Sequence, residues 1–183
     1  MDLPIVTERL YITEFDESMA ESVYLNSLDE DNRRFIPDEV FESVEKAKST
    51  LNTLVSYYDR NDSPLVFPVF LKDGEHIGHV QVFPVNNGWE IGYHVAKQFT
   101  GNGYATEAVN AFLPFAIHRL GLSVIHAVAR ADNAASRRVL EKCGFTLENE
   151  EYAQHHGKKH LICRYSSSAS GPSCKKPDEN EQD

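Results

Sequence analysis

The order of the predicted elements indicates an α/β (α+β) fold, in which a mixed central sheet of about seven strands packs with four helices. Two observations carry this prediction. Three consecutive apolar segments joined by Asp-Gly and Asn-Gly turns predict an antiparallel meander. The last of these segments is followed by a glycine-bearing turn, a helix and another apolar strand, an order typical of a parallel pair joined by a crossover.

The composition is that of a single acidic domain. The chain has 183 residues, and 18 Lys plus Arg against 28 Asp plus Glu leave a net charge of −10. This charge argues against nucleic-acid binding and is compatible with a cationic amine. Three cysteines without a close pair favour a reducing compartment over a disulfide framework. Without a signal-like start or a long apolar run, we expect a soluble cytoplasmic protein with no membrane contact.

The N-terminal third predicts one strand and two helices. Alternation of apolar residues predicts a strand over Glu8 to Phe15. Asp16 can cap the next helix, which should end near Ser27. The mixed segment from Asn32 to Phe41 predicts a loop. Apolar residues at spacings of three and four then predict a second helix over Ser43 to Tyr58.

The meander and the crossover make up the middle of the chain. Pro68 lies inside the first meander segment and predicts an edge position or a bulge. Pro114 predicts a kink in the crossover helix, because it removes one backbone hydrogen bond. The predicted elements are strands over Leu65 to Leu71, Ile77 to Phe83 and Trp89 to Val95, a helix from Gly103 or Tyr104 to Leu120 ended by Gly121, and a strand over Val124 to Ala129.

The remaining chain predicts a helix, a hairpin and a tail. Asp132-Asn133 caps a helix over Ala134 to Cys143, and Gly144 suits its left-handed end. The hairpin strands are expected over Phe145 to Tyr152 and Lys158 to Tyr165. Residues 166–183 offer almost nothing to bury, so we expect a domain over residues 1–165 followed by a disordered tail.

The turn after the meander is a candidate anion site. It contains Gly101 and Gly103, and such a turn points backbone N–H groups at one spot, where the helix dipole adds about half a positive charge. Two glycines between a strand and a helix are also a common tight connection. Thr106 stands where a dinucleotide motif needs Gly or Ala, and no Lys-Ser/Thr pair follows as in a P-loop.

The same segment resembles the acyl-CoA-binding motif of the GNAT superfamily of N-acetyltransferases, closest to its ribosomal-protein (RimJ/RimL-type) branch. The motif is Gln98-x-x-Gly101-x-Gly103, preceded by Glu90-Ile91-Gly92-Tyr93 and followed by Tyr104-Ala105-Thr106-Glu107-Ala108. The resemblance implies the GNAT fold, acetyl-CoA as cosubstrate, no metal, and turn amides that hold the CoA pyrophosphate. The implied cofactor contacts are Tyr93, His94, Val95, Gln98, Phe99, Thr100, Gly101, Asn102, Gly103, Tyr104 and Ala105.

A second segment, Asn133 to Phe145, resembles the family helix that packs beside the pantetheine arm of CoA, with Asn133 near that arm. Many members place a Tyr seven residues after this Asn to protonate the departing thiolate, but here Leu140 stands there. The ribosomal-protein branch uses a Ser three residues after the Asn, which implies Ser136 as the acid. A serine in a first helical turn also commonly bonds backbone groups.

Glu90 is the candidate base. An ammonium must lose a proton before it attacks a thioester, and Glu90 resembles the branch's strand glutamate that accepts this proton directly or through water. Partial burial would raise the pKa of its carboxyl, which suits this role; a solvated glutamate at a strand start is the alternative. His94, on the same strand face, is the rival base. The backbone from Gly92 to Val95 is expected to pair with the pantetheine arm and polarise the thioester carbonyl.

Other reactive residues have simpler interpretations. His155, His156 and His160 lack supporting Cys or carboxylate spacing, so they indicate a polar hairpin rather than a metal site. Cys143 could accept an acyl group, but a cysteine in a last helical turn is ordinarily a packing residue. The loop from Arg33 to Phe41, the second helix and the hairpin from His155 to Lys159 should wall the acceptor cleft.

These patterns predict an acetyl-CoA-dependent N-acetyltransferase that works by direct attack on the thioester. The acceptor is a primary amine, with a peptide or protein N-terminus slightly favoured by the resemblance over a polyamine or an antibiotic. A non-catalytic acyl-CoA-binding sensor is the alternative from another class, favoured by the missing Tyr at position 140 and opposed by Ser136 and Glu90. We expect a monomer or a homodimer.

Overall fold

The computed structural model describes residues 3–155 and 157–168. These residues build one eight-stranded mixed sheet in the order β1-β2-β3-β4-β5-β6-β8-β7. The strands are β1 Ile5–Val6, β2 Leu10–Ile12, β3 Leu65–Leu71, β4 His76–Val85, β5 Gly88–Val95, β6 Val124–Arg130, β7 Thr146–His155 and β8 Lys158–Ser168. The α-helices are α1 Ala20–Ser27, α2 Glu30–Phe35, α3 Val44–Val55, α4 Tyr104–Leu120 and α5 Ala134–Lys142.

The sheet topology confirms the predicted meander and crossover. Strands β3, β4 and β5 pair in antiparallel order, and β5 pairs with β6 in parallel through the α4 crossover. Pro68 lies beside a register shift between Val69 and Phe70, which agrees with the predicted bulge. Asp16 caps the segment that follows it, as expected, because its side chain accepts the N–H of Ser18 in a 3-10 helix over Glu17–Met19 that leads into α1. Ser43, predicted as the first residue of the second helix, is the cap of α3 and accepts the N–H of Lys46.

The predicted first strand is wrong in its extent. Only Leu10–Ile12 of the predicted segment is β2, and Ile5–Val6 forms an additional strand paired with it. The predicted loop over residues 32–41 is also wrong, because it contains the end of α2 and a 3-10 helix over Pro37–Glu39. Asp29 caps α2, and the acidic first turn and basic last turn of that helix match its dipole.

The predicted tail begins too early. Residues 166–168 continue β8, where Ser166 pairs with His126 on one side and Thr146 on the other. The ladder uses backbone groups, so a polar serine run can extend a strand when two partner strands lie beside it. The rest of the predicted tail lies outside the described residues, as does His156 in the predicted hairpin turn.

The core lies between the meander and the crossover helix. Phe67 on β3 contacts Phe112 and Phe115 of α4 with ring centroids 5.5 and 5.6 Å apart, and all three are buried. The predicted helix continues through Pro114 to Leu120, and Gly121 ends it with φ of 63°. This packing fixes the start of α4 beside the end of β5, where the predicted turn lies.

Gly78 allows β4 and β5 to approach closely. Its φ is 155°, and a Cβ built on it would lie 2.0 Å from the carbonyl oxygen of His94. Only a residue without a side chain fits this approach, which fixes the position of His94 and the end of β5.

We expect Gly78→Ala to lower the free energy of unfolding by about 3 kcal/mol or more, because backbone must move to relieve the clash. Gly74→Ala is the matched control: φ is 94°, with no atom within 4 Å of the new Cβ. Its backbone strain should cost about 1–2 kcal/mol. Urea unfolding of both variants checks this, and equal losses would contradict the clash.

Candidate active site

The candidate site is the gap where β5 and β6 diverge. Among the described residues the two strands pair at one register position, Glu90 with His126. Beyond it the strands separate, and residues 92–95 of β5 and residues 127–130 of β6 both line a cleft of about 1320 Å³. The cleft extends from this gap to residues of α1, α2, α3 and β4.

The glycine turn closes one end of the cleft. Gly101 and Gly103 both have φ of 81°, and Gly103 directly precedes α4. No side chain among the described residues caps this helix N-terminus, so its first N–H groups are left for water or a ligand. The amide of Asn102 donates to the carbonyls of Phe99 and Thr100 and so holds the turn together.

Most of the predicted cofactor residues line the cleft. Those that do are Tyr93, His94, Val95, Phe99, Thr100, Gly101, Gly103, Tyr104, Ala105, Asn133 and Ser136. Gln98 is exposed, and neither it nor Asn102 belongs to the lining. Asn102 contributes to the shape of the turn through its two hydrogen bonds to Phe99 and Thr100.

Ser136 lies at the start of α5 and faces β5 across the cleft. The side-chain oxygen of Asn133 accepts the backbone N–H of Ser136 at 3.1 Å, which caps the helix. The hydroxyl of Tyr93 lies 2.9 Å from the Ser136 carbonyl oxygen and 3.0 Å from its Oγ. Burial raises the pKa of Tyr93, so its phenol stays protonated and able to donate.

Glu90 lines the same cleft near the point where the strands separate. It is half-buried, and this burial raises the pKa of its carboxyl, although Arg164 opposes the shift. A carboxyl with a raised pKa holds a proton more strongly and is therefore a better base near neutral pH. Leu140, where many relatives have Tyr, is 1% exposed and belongs to the core.

His94 is bound into the structure by Asp29. Its Nε2 lies 3.3 Å from an Asp29 oxygen, and the ring is 9% exposed. The same carboxylate accepts the N–H of Asn32 at 2.8 Å and that of Lys97 at 3.1 Å. Burial alone would raise the pKa of Asp29, but these hydrogen bonds lower it to about 2. Asp29 thus joins α2 to the end of β5.

A polar cluster that the sequence did not reveal lines the cleft beside His94, whose ring centroid lies 5.7 Å from that of His79 on β4. His79 Nε2 lies 3.2 Å from Glu39, whose other oxygen accepts the Gln81 amide at 2.9 Å. Burial raises the pKa of Glu39, but attraction to His79 and the Gln81 bond outweigh it, giving about 2. The alternation of His79 and Gln81 along β4 was the available signal, since both then share a face.

Gly92 makes room for this cluster. It pairs with Gln81 across the strands, and a Cβ on Gly92 would lie 2.8 Å from the Gln81 side-chain nitrogen. The absence of a side chain at residue 92 therefore lets Gln81 reach Glu39 on the 3-10 helix. This contact draws the segment after α2 over the cleft.

Cys143 is a packing residue in this structure. Its thiol is buried against α4 and donates weakly to the carbonyl of Thr106 at 3.7 Å. Burial raises the pKa of Cys143 to about 12, which disfavours the thiolate needed for acyl transfer.

Within residues 3–155 and 157–168, no three His, Cys, Asp or Glu side chains converge to hold a metal ion. None of the helices that the structure describes is long and apolar enough to cross a membrane.

A splayed parallel pair with a glycine turn at its end forms a cleft suited to an extended ligand that carries a phosphate group. Residues 9–146 match the family described as the acetyltransferase (GNAT) domain. The chain therefore belongs to the GNAT family, and it is an N-acetyltransferase that uses acetyl-CoA as its acyl donor.

Known proteins agree with this assignment. The chain is 32% identical over 147 residues to the uncharacterized N-acetyltransferase YnaD of Bacillus subtilis, an alignment covering 79% of this chain and 83% of YnaD. A GNAT-family acetyltransferase from Bacillus anthracis is similar in structure, with a TM-score of 0.78, 26% identity and coverage of 91% and 99%. RimL, solved with coenzyme A, superposes with a TM-score of 0.76 at 22% identity, covering 91% and 97%.

We expect Glu90→Gln to raise the free energy of unfolding at pH 7 and to have no such effect below about pH 4. Burial raises the folded-state pKa of Glu90 above its ordinary 4.5, so ionisation costs stability as pH rises through this window. At low pH the carboxyl is neutral, like glutamine. Urea unfolding at pH 4 and 7 checks this, with the exposed Glu148→Gln as control. A gain that is equal at both pH values would contradict it.

Proposed function

We propose that the chain acetylates the α-amine of a protein or peptide N-terminus by direct attack on acetyl-CoA. The observation that carries this proposal is the convergence of Glu90, Ser136 and the glycine turn on one cleft. A base, a hydrogen-bond donor for the leaving group and an anion-binding turn are the three parts that direct acyl transfer from a thioester requires.

In the proposed reaction Glu90 accepts a proton from the acceptor ammonium, directly or through water. The neutral amine attacks the thioester carbon, and a tetrahedral intermediate forms with negative charge on the former carbonyl oxygen. Backbone groups of residues 92–95 stabilise that charge. The carbon–sulfur bond then breaks while the Ser136 hydroxyl donates a hydrogen bond to the departing sulfur. The nitrogen loses its second proton, which passes to the thiolate, and Glu90 releases the first proton to solvent, so the products are the N-acetylated acceptor and CoA thiol.

The Tyr93 hydroxyl supports Ser136 in this proposal. The Tyr93 hydroxyl donates to the Ser136 carbonyl oxygen, which can only accept, while between the Tyr93 hydroxyl and Ser136 Oγ either oxygen can be the donor. In the proposed reaction the Ser136 hydroxyl donates its hydrogen bond to the departing sulfur, so Ser136 Oγ then accepts from Tyr93. A hydroxyl that receives a hydrogen bond on its oxygen becomes a stronger donor through its own proton. Tyr93 therefore compensates in part for Leu140, which brings no hydroxyl to the leaving group.

Two features bear on the acceptor. RimL, similar in fold, is named an α-N-protein acetyltransferase of ribosomal L7/L12. A small polyamine is the second candidate, because Asp31, Asp38 and Glu39 line the cleft and carboxylates attract ammonium groups. Lys97 lies 2.6 Å from Asp31, which weakens that attraction.

The test is a panel of acceptors assayed by release of the CoA thiol. Peptides with free N-termini should react, and the same peptides with blocked N-termini and internal lysines should not. Polyamines reacting in place of the peptides would assign the second candidate. Binding of acetyl-CoA measured by calorimetry, without thiol release for any amine, would instead indicate a sensor.

We expect Ser136→Ala and Glu90→Gln each to lower kcat by about 10²- to 10⁴-fold if they serve as donor and base. Glu90→Gln should lower kcat although it raises the free energy of unfolding at pH 7. The lower kcat would therefore reflect the missing base and not an unfolded protein. Ser22→Ala is the matched control for Ser136→Ala. Ser22 lies on α1, where its hydroxyl contacts His76 of β4, and its removal should leave kcat unchanged.

We expect Tyr93→Phe to lower kcat by about tenfold with a smaller change in the KM for acetyl-CoA. Because Tyr93 is proposed to act through Ser136, the double variant with Ser136→Ala should be no slower than Ser136→Ala alone. Steady-state kinetics on the four proteins of this cycle measure the coupling. Multiplied losses would show that Tyr93 acts independently of Ser136.

A further inference from the structure

Arg9 lies beside the glycine turn and is not among the residues that line the cleft. It precedes β2, and its Nη1 donates to the carbonyl oxygen of Asn102 at 3.0 Å. Its Nε and Nη2 lie 2.7 and 2.6 Å from one oxygen of Glu107, in the first turn of α4. One guanidinium thus joins the turn to the helix that follows it.

The surroundings of Arg9 fix its orientation. The guanidinium lies 4.7 Å from the centroid of the Tyr104 ring, a cation–π contact at the first residue of α4. The other Glu107 oxygen accepts the Thr7 hydroxyl at 2.6 Å and the backbone N–H of Arg9 at 3.0 Å. Burial alone raises the pKa of Glu107, but these donors lower it, so the carboxylate stays charged.

The Asn102 contact sets the direction of the next amide. In a trans peptide the carbonyl and the following N–H point in opposite directions. Arg9 binds the Asn102 oxygen, and neither residue belongs to the cleft lining, whereas Gly103 does. The N–H of Gly103 therefore points away from Arg9. The guanidinium therefore orients one of the amides available to a bound anion.

Arg9 also neutralises the carboxylate of Glu107, whose negative charge would otherwise repel the phosphates of CoA. Glu107 lies in the first turn of α4, where a bound pyrophosphate would meet its negative charge. The ion pair with Arg9 offsets this repulsion at the helix end. Both effects of Arg9, the orientation of the Gly103 amide and the neutralisation of Glu107, favour the binding of acetyl-CoA.

We infer that Arg9 is a positioning residue for acetyl-CoA: it orients the glycine turn and cancels the charge of Glu107. The alternative is a purely structural role, in which Arg9 only connects the segment between β1 and β2 to α4. Thr7 distinguishes the two roles, because it bonds the same carboxylate without touching the turn carbonyl. The inference depends on the acyl donor and not on the proposed acceptor.

The test is titration of the full chain with coenzyme A by calorimetry, which needs no acceptor. We expect Arg9→Met to raise the Kd for CoA by at least about tenfold, whereas Thr7→Val should leave it within about twofold of the wild type. With any amine that supports turnover, Arg9→Met should raise the KM for acetyl-CoA more than it lowers kcat. Thermal unfolding of both variants reports their stability separately.

Two further variants distinguish the geometric contribution of Arg9 from its charge. Arg9→Lys keeps the charge but cannot span Asn102 and Glu107 with a planar fork, so it should also weaken CoA binding, and it is the variant to use if Arg9→Met does not fold. Arg9→Met combined with Glu107→Gln should bind CoA more tightly than Arg9→Met alone, because the uncompensated charge is gone. A wild-type Kd in Arg9→Met, or equal Kd changes in Arg9→Met and Thr7→Val, would overturn the inference.

Discussion

The divergence of β5 from β6 is the constraint on which the rest of the structure depends. Each strand is fully paired on its outer side, β5 with β4 and β6 with β8, while the two meet at the single position Glu90 with His126. Backbone groups that face the gap have no partner strand there, so water or a ligand must satisfy them. The sheet thereby provides an extended polar edge for an amide-containing arm such as pantetheine.

The fold was largely predictable because its information is local. The meander has turn residues at the right places, and the crossover has an apolar helix between two apolar strands. The errors fall where local patterns do not decide the outcome. Residues 30–35 become helical with Asp29 as their cap, and residues 166–168 extend β8 because β6 and β7 lie on both sides. Neither cause is visible in side-chain hydrophobicity.

The site was predictable only where a family motif carries it. Ser136, Glu90 and most of the turn residues face the cleft, and they were found by resemblance together with strand parity. Arg9 and the Glu39–His79–Gln81 cluster were missed because their partners are far away in sequence: 98 residues separate Arg9 from Glu107, and 42 separate Glu39 from Gln81. A single sequence offers no spacing rule for such contacts, which only the packed sheet brings together.

Asp29 links the two halves of the cleft. One carboxylate holds the start of α2, which leads into the acceptor wall, and the backbone N–H of Lys97, which opens the approach to the glycine turn. Asp29 is not itself part of the glycine motif, yet its carboxylate ties the backbone that leads into that turn to the first turn of α2. Protonation of this one carboxylate would therefore loosen both segments together.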